Sequence, residues 1–131
     1  MNTISLVSFN RKAALIVVPV TVKTLTKVWE FQFAVDTGAT ICLIDTNVIT
    51  ALGYKQQDII RTTHTITASK SETVYQYNLD NIMALGLIRR NFKILSRSLP
   101  PELGIDGLLG LNFFKNKELT IDFKLSEISL K

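Results

Sequence analysis

One carboxylate stands among strand-forming apolar residues in the segment FAVDTGATICLID, residues 33–45. Asp36 follows Val35 and precedes Thr37 and Gly38. Burial of an unpaired carboxylate costs free energy, because the charge loses its hydration. We therefore expect Asp36 to be hydrogen-bonded, paired, protonated or engaged in chemistry.

Three interpretations of Asp36-Thr37-Gly38 are open. Aspartate and glycine are common turn residues, so a turn without chemistry would explain a match of three residues. A metal site needs several converging ligands, and the neighbourhood offers only Asp45 and a distant His64, so the sequence predicts no metal and no cofactor. Two carboxyl groups that share one proton could instead activate water, one as base and the other as acid.

The elements that must position Asp36 are predicted to be β-strands. Apolar residues alternate with others in LIVVPVTV, residues 15–22, and in WEFQFAVD, residues 29–36. The polar residues between these strands predict a hairpin connection, and Pro19 predicts an edge position or a bulge. Further on, residues 61–81 carry Thr-, Val- and Tyr-rich arms around a polar tip, which predicts a long exposed hairpin.

The remaining elements are short strands and two short helices. Asp45 or Thr46 can cap the first helix and Gly53 can end it, while the second follows the glycine-rich residues 104–110. Further strands are predicted at residues 82–88, 91–99 and 119–130. The pattern predicts a mostly β fold, and the length predicts one domain over residues 1–131.

The segment AVDTGAT, residues 34–40, resembles the active-site loop of the retropepsin-like aspartic proteases, which are one-domain relatives of pepsin. Order and spacing support the resemblance. A polar-tipped hairpin at about residues 65–77 follows where that family places its flap. Leu108-Leu109-Gly110 then resembles the family's second motif, two apolar residues and a glycine before a short helix.

The resemblance extends over roughly residues 13–125, and GLNFF, residues 110–114, is closer to stand-alone cellular and bacterial members than to retroviral ones. It implies a closed barrel-like domain with a flap hairpin and one or two short helices. It also implies that the apolar pair passes through the loop that holds Asp36, with Gly110 allowing close backbone approach.

The resemblance also implies roles for individual residues. Asp36 would be the catalytic carboxylate, and Thr37 would bind across to its symmetry mate. Gly38 would bring its amide to the carboxylate, and Ala39 would line the start of the substrate cleft. The residues implied at the flap tip and in the substrate pockets are Ala68, Ser69, Lys70, Val74, Leu108 and Leu109.

Two features depart from the family pattern. Many relatives have a glycine at the flap tip, whereas this chain has ASKSE, residues 68–72. Many retroviral members follow the second-motif glycine with Arg-Asn, which braces the dimer. Here the residues are Leu111-Asn112, so that brace must be replaced.

A single Asp-Thr-Gly motif predicts the oligomeric state. A pepsin-type mechanism needs two aspartates, and Asp106 lacks a following Thr-Gly, so it is interpreted as a structural turn residue. Activity would therefore require a homodimer with one Asp36 from each chain at the two-fold axis. The predicted function is an aspartic endopeptidase that hydrolyses peptide bonds with water held between the two carboxyls, with a bell-shaped pH profile on the acidic side of neutral.

Alternatives from other classes remain. The chain could be a catalytically weak or inactive module that keeps the fold for dimerisation or peptide binding. It could also be a domain cut from a longer polyprotein or membrane protein. The C-terminal strand is predicted either to pair across the dimer or to be an ordinary edge strand.

Charge and hydrophobicity limit the kinds of partner that the chain could bind. The net charge of +4 is spread over scattered Lys and Arg residues, which disfavours a nucleic-acid partner. The apolar residues 13–22 are about half the length that a bilayer needs, so no membrane partner is predicted. A single Cys42 excludes an intramolecular disulfide and is interpreted as a small buried hydrophobe. The location stays open, with the cytoplasm favoured.

Overall fold

The computed structural model describes residues 5–66 and 68–131, and over these residues the chain is mostly β with two short α-helices. The strands are β1 (Ser5–Ser8), β2 (Val17–Lys23), β3 (Val28–Val35), β4 (Leu43–Asp45), β5 (Arg61–Ile66), β6 (Ser71–Ala84), β7 (Leu87–Arg97), β8 (Gly107–Leu109), β9 (Leu119–Asp122) and β10 (Glu127–Leu130). The helices are α1 (Thr46–Ala51), α2 (Leu111–Phe114) and single 3₁₀ turns at Gln56–Asp58 and Pro101–Leu103. The predicted fold class is confirmed.

Six of the described strands close into a barrel. Hydrogen bonding follows the order β2-β3-β8-β4-β7-β6, and β6 returns to pair with β2 through Thr21–Lys23. The large side chains that fill it include Phe33, Ile44, Leu79, Ile94, Leu109 and Phe113, each fully buried. Closure leaves the barrel strands few free edges, so the apolar residues that alternate along them meet in one core.

The β2–β3 hairpin forms as the alternating pattern predicts. Val18, Val20 and Val22 are fully buried, while the intervening residues face outward. Pro19 lies opposite Gln32 of β3, and the β6 pairing does not reach it. At Pro19 the strand therefore has one neighbour, which is the edge position where a missing N–H costs no ladder hydrogen bond.

The predicted exposed hairpin is formed by β5 and β6. Ile66 pairs with Ser71 and His64 with Thr73, and every residue of β5 is exposed. The range predicted for the flap, about residues 65–77, includes residue 67, which lies outside the described residues. Because β5 pairs only with β6 in the described sheet, this arm projects beyond the barrel. His64 lies on its surface with Nδ1 3.0 Å from Thr73 Oγ1, as expected for a strand-pairing residue.

β6 and β7 pair antiparallel from Tyr75–Ser96 to Ala84–Leu87, with no pairing between Asp80 and Asn91. β7 runs through residues 89–91 as one strand, so the prediction of separate strands at residues 82–88 and 91–99 is wrong. Leu85 and Gly86, both at positive φ, join the two strands in a tight turn. The cluster of charged and polar residues suggested a break. The strand continues because the half-buried Arg89 side chain donates two hydrogen bonds to the Phe113 carbonyl oxygen of α2 instead of entering solvent.

The terminal strands form a separate three-stranded sheet in the order β1-β10-β9. β10 is therefore the central strand, with both of its edges paired within the chain. This corrects the expectation of an edge strand, and in the single chain neither edge of β10 is left unpaired. The alternation of buried Ile128 and Leu130 with outward-facing residues fixes its register against the core.

Gly107 provides a test of how tightly the barrel is packed. A Cβ at this position would overlap the Leu43 carbonyl oxygen and approach the Phe33 ring to 2.5 Å. We expect Gly107→Ala to lower the free energy of unfolding by about 3 kcal/mol or more, because neither backbone nor ring can withdraw. Urea titration measures the change.

Gly104→Ala is the matched control. Nothing lies within 4 Å of a Cβ there, but its φ of +63° is strained for alanine, so we expect a loss of only ~1 kcal/mol. Equal losses in the two variants would contradict the packing argument at Gly107.

Candidate active site

Asp36 lies directly beyond the end of β3, where β8 runs parallel to that strand. Val35 pairs with Leu109, and the Asp36 N–H donates to the Leu109 carbonyl oxygen at 2.9 Å. β8 also pairs antiparallel with β4 through Leu43 and Ile44. The short β8 thus passes between the strand that enters the Asp36 loop and the strand that leaves it, as the resemblance implied.

The Asp36 carboxylate is held by its own loop. The Gly38 N–H donates to Asp36 Oδ1 at 2.9 Å, and the Ala39 N–H donates to the Asp36 carbonyl oxygen at 3.1 Å. Asp36 is half-buried, and no residue in the described ranges donates a hydrogen bond to Oδ2. One carboxylate oxygen is therefore fixed by a backbone amide, and the other is available to a further group.

The outer part of this loop faces solvent. Thr37, Gly38 and Thr40 are exposed, and Ala39 is half-buried. A Cβ at position 38 would lie 3.2 Å from Asp36 Oδ1, closer than side chains normally approach. Glycine at position 38 therefore lets the amide reach the carboxylate.

Gly110 makes the close approach that the second motif predicted. A Cβ at this position would lie 2.6 Å from the Ala39 carbonyl oxygen and 2.9 Å from the Ile41 carbonyl carbon. The next residues hold the loop through main-chain bonds, because the Leu111 N–H donates to Ala39 O at 2.8 Å and the Asn112 N–H to Thr40 O at 3.2 Å. The glycine is needed for this contact between two backbone segments.

The residues predicted for the flap and pockets are in different places. Ala68, Ser69 and Lys70 are exposed at the end of the β5–β6 hairpin. Val74 on β6 and Leu108 on β8 are half-buried. Leu109 is fully buried in the core, so the expectation that its side chain lines a cleft does not hold.

Two grooves on the surface of the single chain lie away from Asp36. One of about 320 Å³ lies between the β2–β3 loop and α1, and another of about 400 Å³ lies on the outer face of β2, β6 and β7. Neither includes Asp36 or the hairpin tip among its lining residues. The grooves therefore identify no cleft at the carboxylate of one chain.

The other acidic residues near the loop have structural partners. Asp45 caps α1 by accepting from the Asn47 N–H at 3.0 Å, and its second oxygen accepts from the Leu99 N–H at 2.8 Å. Asp106 Oδ2 accepts from the Gln32 N–H at 2.8 Å, which agrees with its interpretation as a structural residue. In residues 5–66 and 68–131 no group of three or more His, Cys, Asp or Glu side chains could hold a metal ion.

Two side chains that sequence reasoning gave no site role, Asn112 and Cys42, help to hold the Asp36 loop, residues 36–42. Asn112 Oδ1 accepts from the Cys42 N–H at 2.8 Å, and Asn112 Nδ2 donates to the Lys93 carbonyl oxygen at 2.8 Å. Cys42 Sγ accepts from the Gly110 N–H at 3.1 Å. The sequence signal for Asn112 was its place just after the second-motif glycine, whereas nothing distinguished Cys42 from a buried apolar residue.

This chain is similar to a known protein family and to solved structures. Residues 21–116 match the family model described as "gag-polyprotein putative aspartyl protease". The fold is similar to a crystal structure of a retropepsin-like aspartic protease from Rickettsia conorii, with a TM-score of 0.72, 20% identity, and coverage of 98% of this chain and 99% of that one.

A second similar structure is the retroviral protease-like domain of Ddi1 from Leishmania major, with a TM-score of 0.55, 16% identity, and coverage of 86% of this chain and 85% of that one. No match was found among the curated proteins. In the part of the chain that the structure describes, no helix is long and apolar enough to cross a membrane.

The buried Cys42 thiol should make the free energy of unfolding depend on pH in the alkaline range. Burial raises the pKa of Cys42 from 9.0 to about 12, so the folded chain keeps this proton when the unfolded chain has lost it. The free energy of unfolding should therefore fall as pH rises from about 9 to 12, by at most ~1.4 kcal/mol per pH unit from this group.

Urea titrations of wild type and Cys42→Ala over this pH range measure the contribution. Burial also raises the pKa values of Tyr54 and Tyr77, so some loss should remain in the variant. Identical pH slopes in the two proteins would contradict the assignment to Cys42.

Proposed function

Because the chain belongs to the gag-polyprotein family of retropepsin-like aspartic proteases, we propose that it is an aspartic endopeptidase that acts as a homodimer. The observation that carries the proposal is the Asp36 carboxylate. Its Oδ1 is held by the Gly38 N–H, while Oδ2 accepts no hydrogen bond from the described residues. This arrangement suits a carboxyl group that must share a proton with a partner and bind water.

The requirement for a second copy follows from the positions of the other acids. Asp45 and Asp106, two acids close in sequence to the two motifs, accept hydrogen bonds from backbone amides. Neither is available to pair with Asp36 without losing these bonds. The second carboxylate of a pepsin-type pair would therefore come from Asp36 of another chain across a two-fold axis.

The surface around the loop supports contact at such an axis. Thr37 and Gly38 are exposed, and the nearby Leu111 side chain is 47% exposed although it is apolar. In the dimer Thr37 would donate a hydrogen bond to the mate's loop, and Leu111 would be covered. Since β10 has no free edge, the terminal sheet would not hold the dimer by exchanging that strand, and the proposed interface depends more on the loops.

The proposed reaction uses water as the nucleophile. Two Asp36 carboxyl groups share one proton and hold a water molecule between them. The ionised carboxylate takes a proton from the water as its oxygen attacks the scissile carbonyl carbon, while the protonated carboxyl donates to the carbonyl oxygen. Proton transfer to the amide nitrogen then accompanies cleavage of the C–N bond, which releases an amine and a carboxylic acid.

The substrate is proposed to be an extended polypeptide. The β5–β6 hairpin would close over it, with Ala68, Ser69 and Lys70 at the tip. Ala39, Val74 and Leu108 would contact its side chains. Main-chain hydrogen bonds to an extended peptide give affinity, and apolar pockets set side-chain preference.

A second candidate function is a catalytically weak or inactive module for dimerisation or peptide binding. The observation that favours it is the tip sequence Ala68-Ser69-Lys70, which lacks the glycine that eases backbone contact with a substrate. The intact Asp36-Thr37-Gly38 loop favours catalysis instead.

Replacement of the proposed catalytic carboxylate separates these candidates. Asp36→Asn should lower kcat for peptide hydrolysis by about 10³-fold or more, because the pair loses its acid–base function. Cleavage of an unfolded protein and of a peptide library, followed by mass spectrometry, measures it. Asp80→Asn, a change at an exposed aspartate, is the matched control and should keep full activity. Equal activity of wild type and Asp36→Asn would favour the binding module.

Dilution tests the proposed dimer. If both carboxylates are needed, activity per chain should fall on dilution below the dimer dissociation constant, while the circular dichroism spectrum remains that of the folded chain. Sedimentation velocity at the same concentrations gives the dimer fraction. The homodimer proposal fails if monomeric protein retains full activity per chain.

A further inference from the structure

The Asp36 loop, residues 36–42, is attached to residues 109–112 along its length. The Asp36 N–H donates to Leu109 O, and the N–H groups of Leu111 and Asn112 donate to Ala39 O and Thr40 O. These bonds use only main-chain atoms. They depend on side-chain identity mainly through Gly110, where any Cβ would collide with the loop.

Asn112 adds a side-chain link among three elements. It stands on α2, accepts from the Cys42 N–H at the end of the loop and donates to Lys93 O on β7, both at 2.8 Å. One amide group supplies the acceptor and the donor that these two partners require. A carboxylate of the same shape would lack the donor, and an apolar side chain would lack both.

Cys42 transmits this link to the loop because each of its polar atoms is held. Its N–H donates to Asn112, its carbonyl oxygen accepts from the Leu95 N–H at 2.9 Å, and its Sγ accepts from the Gly110 N–H. The residue is fully buried. Loss of the Asn112 side chain would leave the buried Cys42 N–H without a partner and release one end of the loop.

Helix α2, which carries Asn112, is itself held in place by contacts with β7. α2 has only four residues, Leu111–Phe114, too few to be stable as an isolated helix. Arg89 on β7 donates to Phe113 O at 3.1 and 2.9 Å and also to Lys115 O, which satisfies carbonyl groups at the helix end. The Phe113 ring packs edge-on against Phe92, with centroids 6.0 Å apart.

We propose that Asn112 is a positioning residue for the Asp36 pair, acting through Cys42 and the loop without touching substrate or water. This inference rests on the proposed function. The two carboxylates must meet within hydrogen-bonding distance, and a displacement of about 1 Å can lower a rate on the order of 10²-fold.

Two substitutions at Asn112 remove this link to different extents. Asn112→Asp keeps an oxygen that can accept from the Cys42 N–H but removes the donor to Lys93 O, whereas Asn112→Ala removes both. Ile128→Val controls for a general loss of stability, because Ile128 is buried in the terminal sheet. Asn47→Ala controls for asparagine replacement, since the Asn47 side chain bonds no residue that the structure describes.

The measurements are kcat and KM at concentrations where sedimentation shows dimer, together with hydrogen exchange of peptides that cover residues 36–43. Asn112→Ala should lower kcat by about 10²-fold and Asn112→Asp by about 10-fold, with KM changed less than about twofold. Exchange should accelerate in the loop peptides of both variants. The two control variants should change neither quantity.

The proposal is overturned if the Asn112 variants keep the kcat of wild type. It is also overturned if Ile128→Val lowers kcat as much as an Asn112 variant with the same free energy of unfolding. Should Asn112→Ala fail to fold, the kcat and exchange of Asn112→Asp decide the question. If wild type shows no Asp36-dependent cleavage, the proposed function fails, and hydrogen exchange alone decides whether Asn112 holds the loop. Unchanged exchange then rejects the inference as well.

Discussion

The passage of β8 between β3 and β4 is the constraint on which the rest of the structure depends. It brings the Leu109 carbonyl to the Asp36 N–H and closes the barrel at the point where the Asp36 loop begins. Three backbone segments can lie this close only because Gly107 and Gly110 have no side chains. The same packing that fills the core therefore fixes the start of the loop.

Polar groups at this crossing are satisfied by particular side chains. Asp106 binds the backbone of β3, Asp45 caps α1, and Asn112 joins the loop to β7. Buried donors and acceptors cost free energy when they lack partners, so each bond also limits where the loop can lie. Asp36 differs from Asp45, whose two oxygens both accept backbone hydrogen bonds, because its Oδ2 has no such partner in the described structure. This open oxygen in the Asp36-Thr37-Gly38 loop is why Asp36 is proposed as the chemical group.

The family resemblance implied the Asp36 loop and the close approach of Gly110, and local patterns predicted the strand hairpins and a helix cap at Asp45 or Thr46. They could not predict the central position of β10, because its pairing with β1 joins opposite ends of the chain. Leu109 was expected at a surface, but apolar character alone does not distinguish a pocket from a core. The charged and polar residues 89–91 suggested a break between strands, because the Phe113 carbonyl oxygen that Arg89 binds is distant in sequence and left no local signal. The site role of Asn112 was missed for the same reason.

The central claim is that catalysis needs one Asp36 from each of two chains. Wild type and Asp36→Asn protein, mixed at constant total concentration above the dimer dissociation constant and allowed to exchange subunits, test it most directly. Activity should fall as the square of the wild-type fraction, to about one quarter in an equal mixture, because mixed dimers hold a single carboxylate. A linear fall, to about one half, would mean that each chain works alone and would contradict the account.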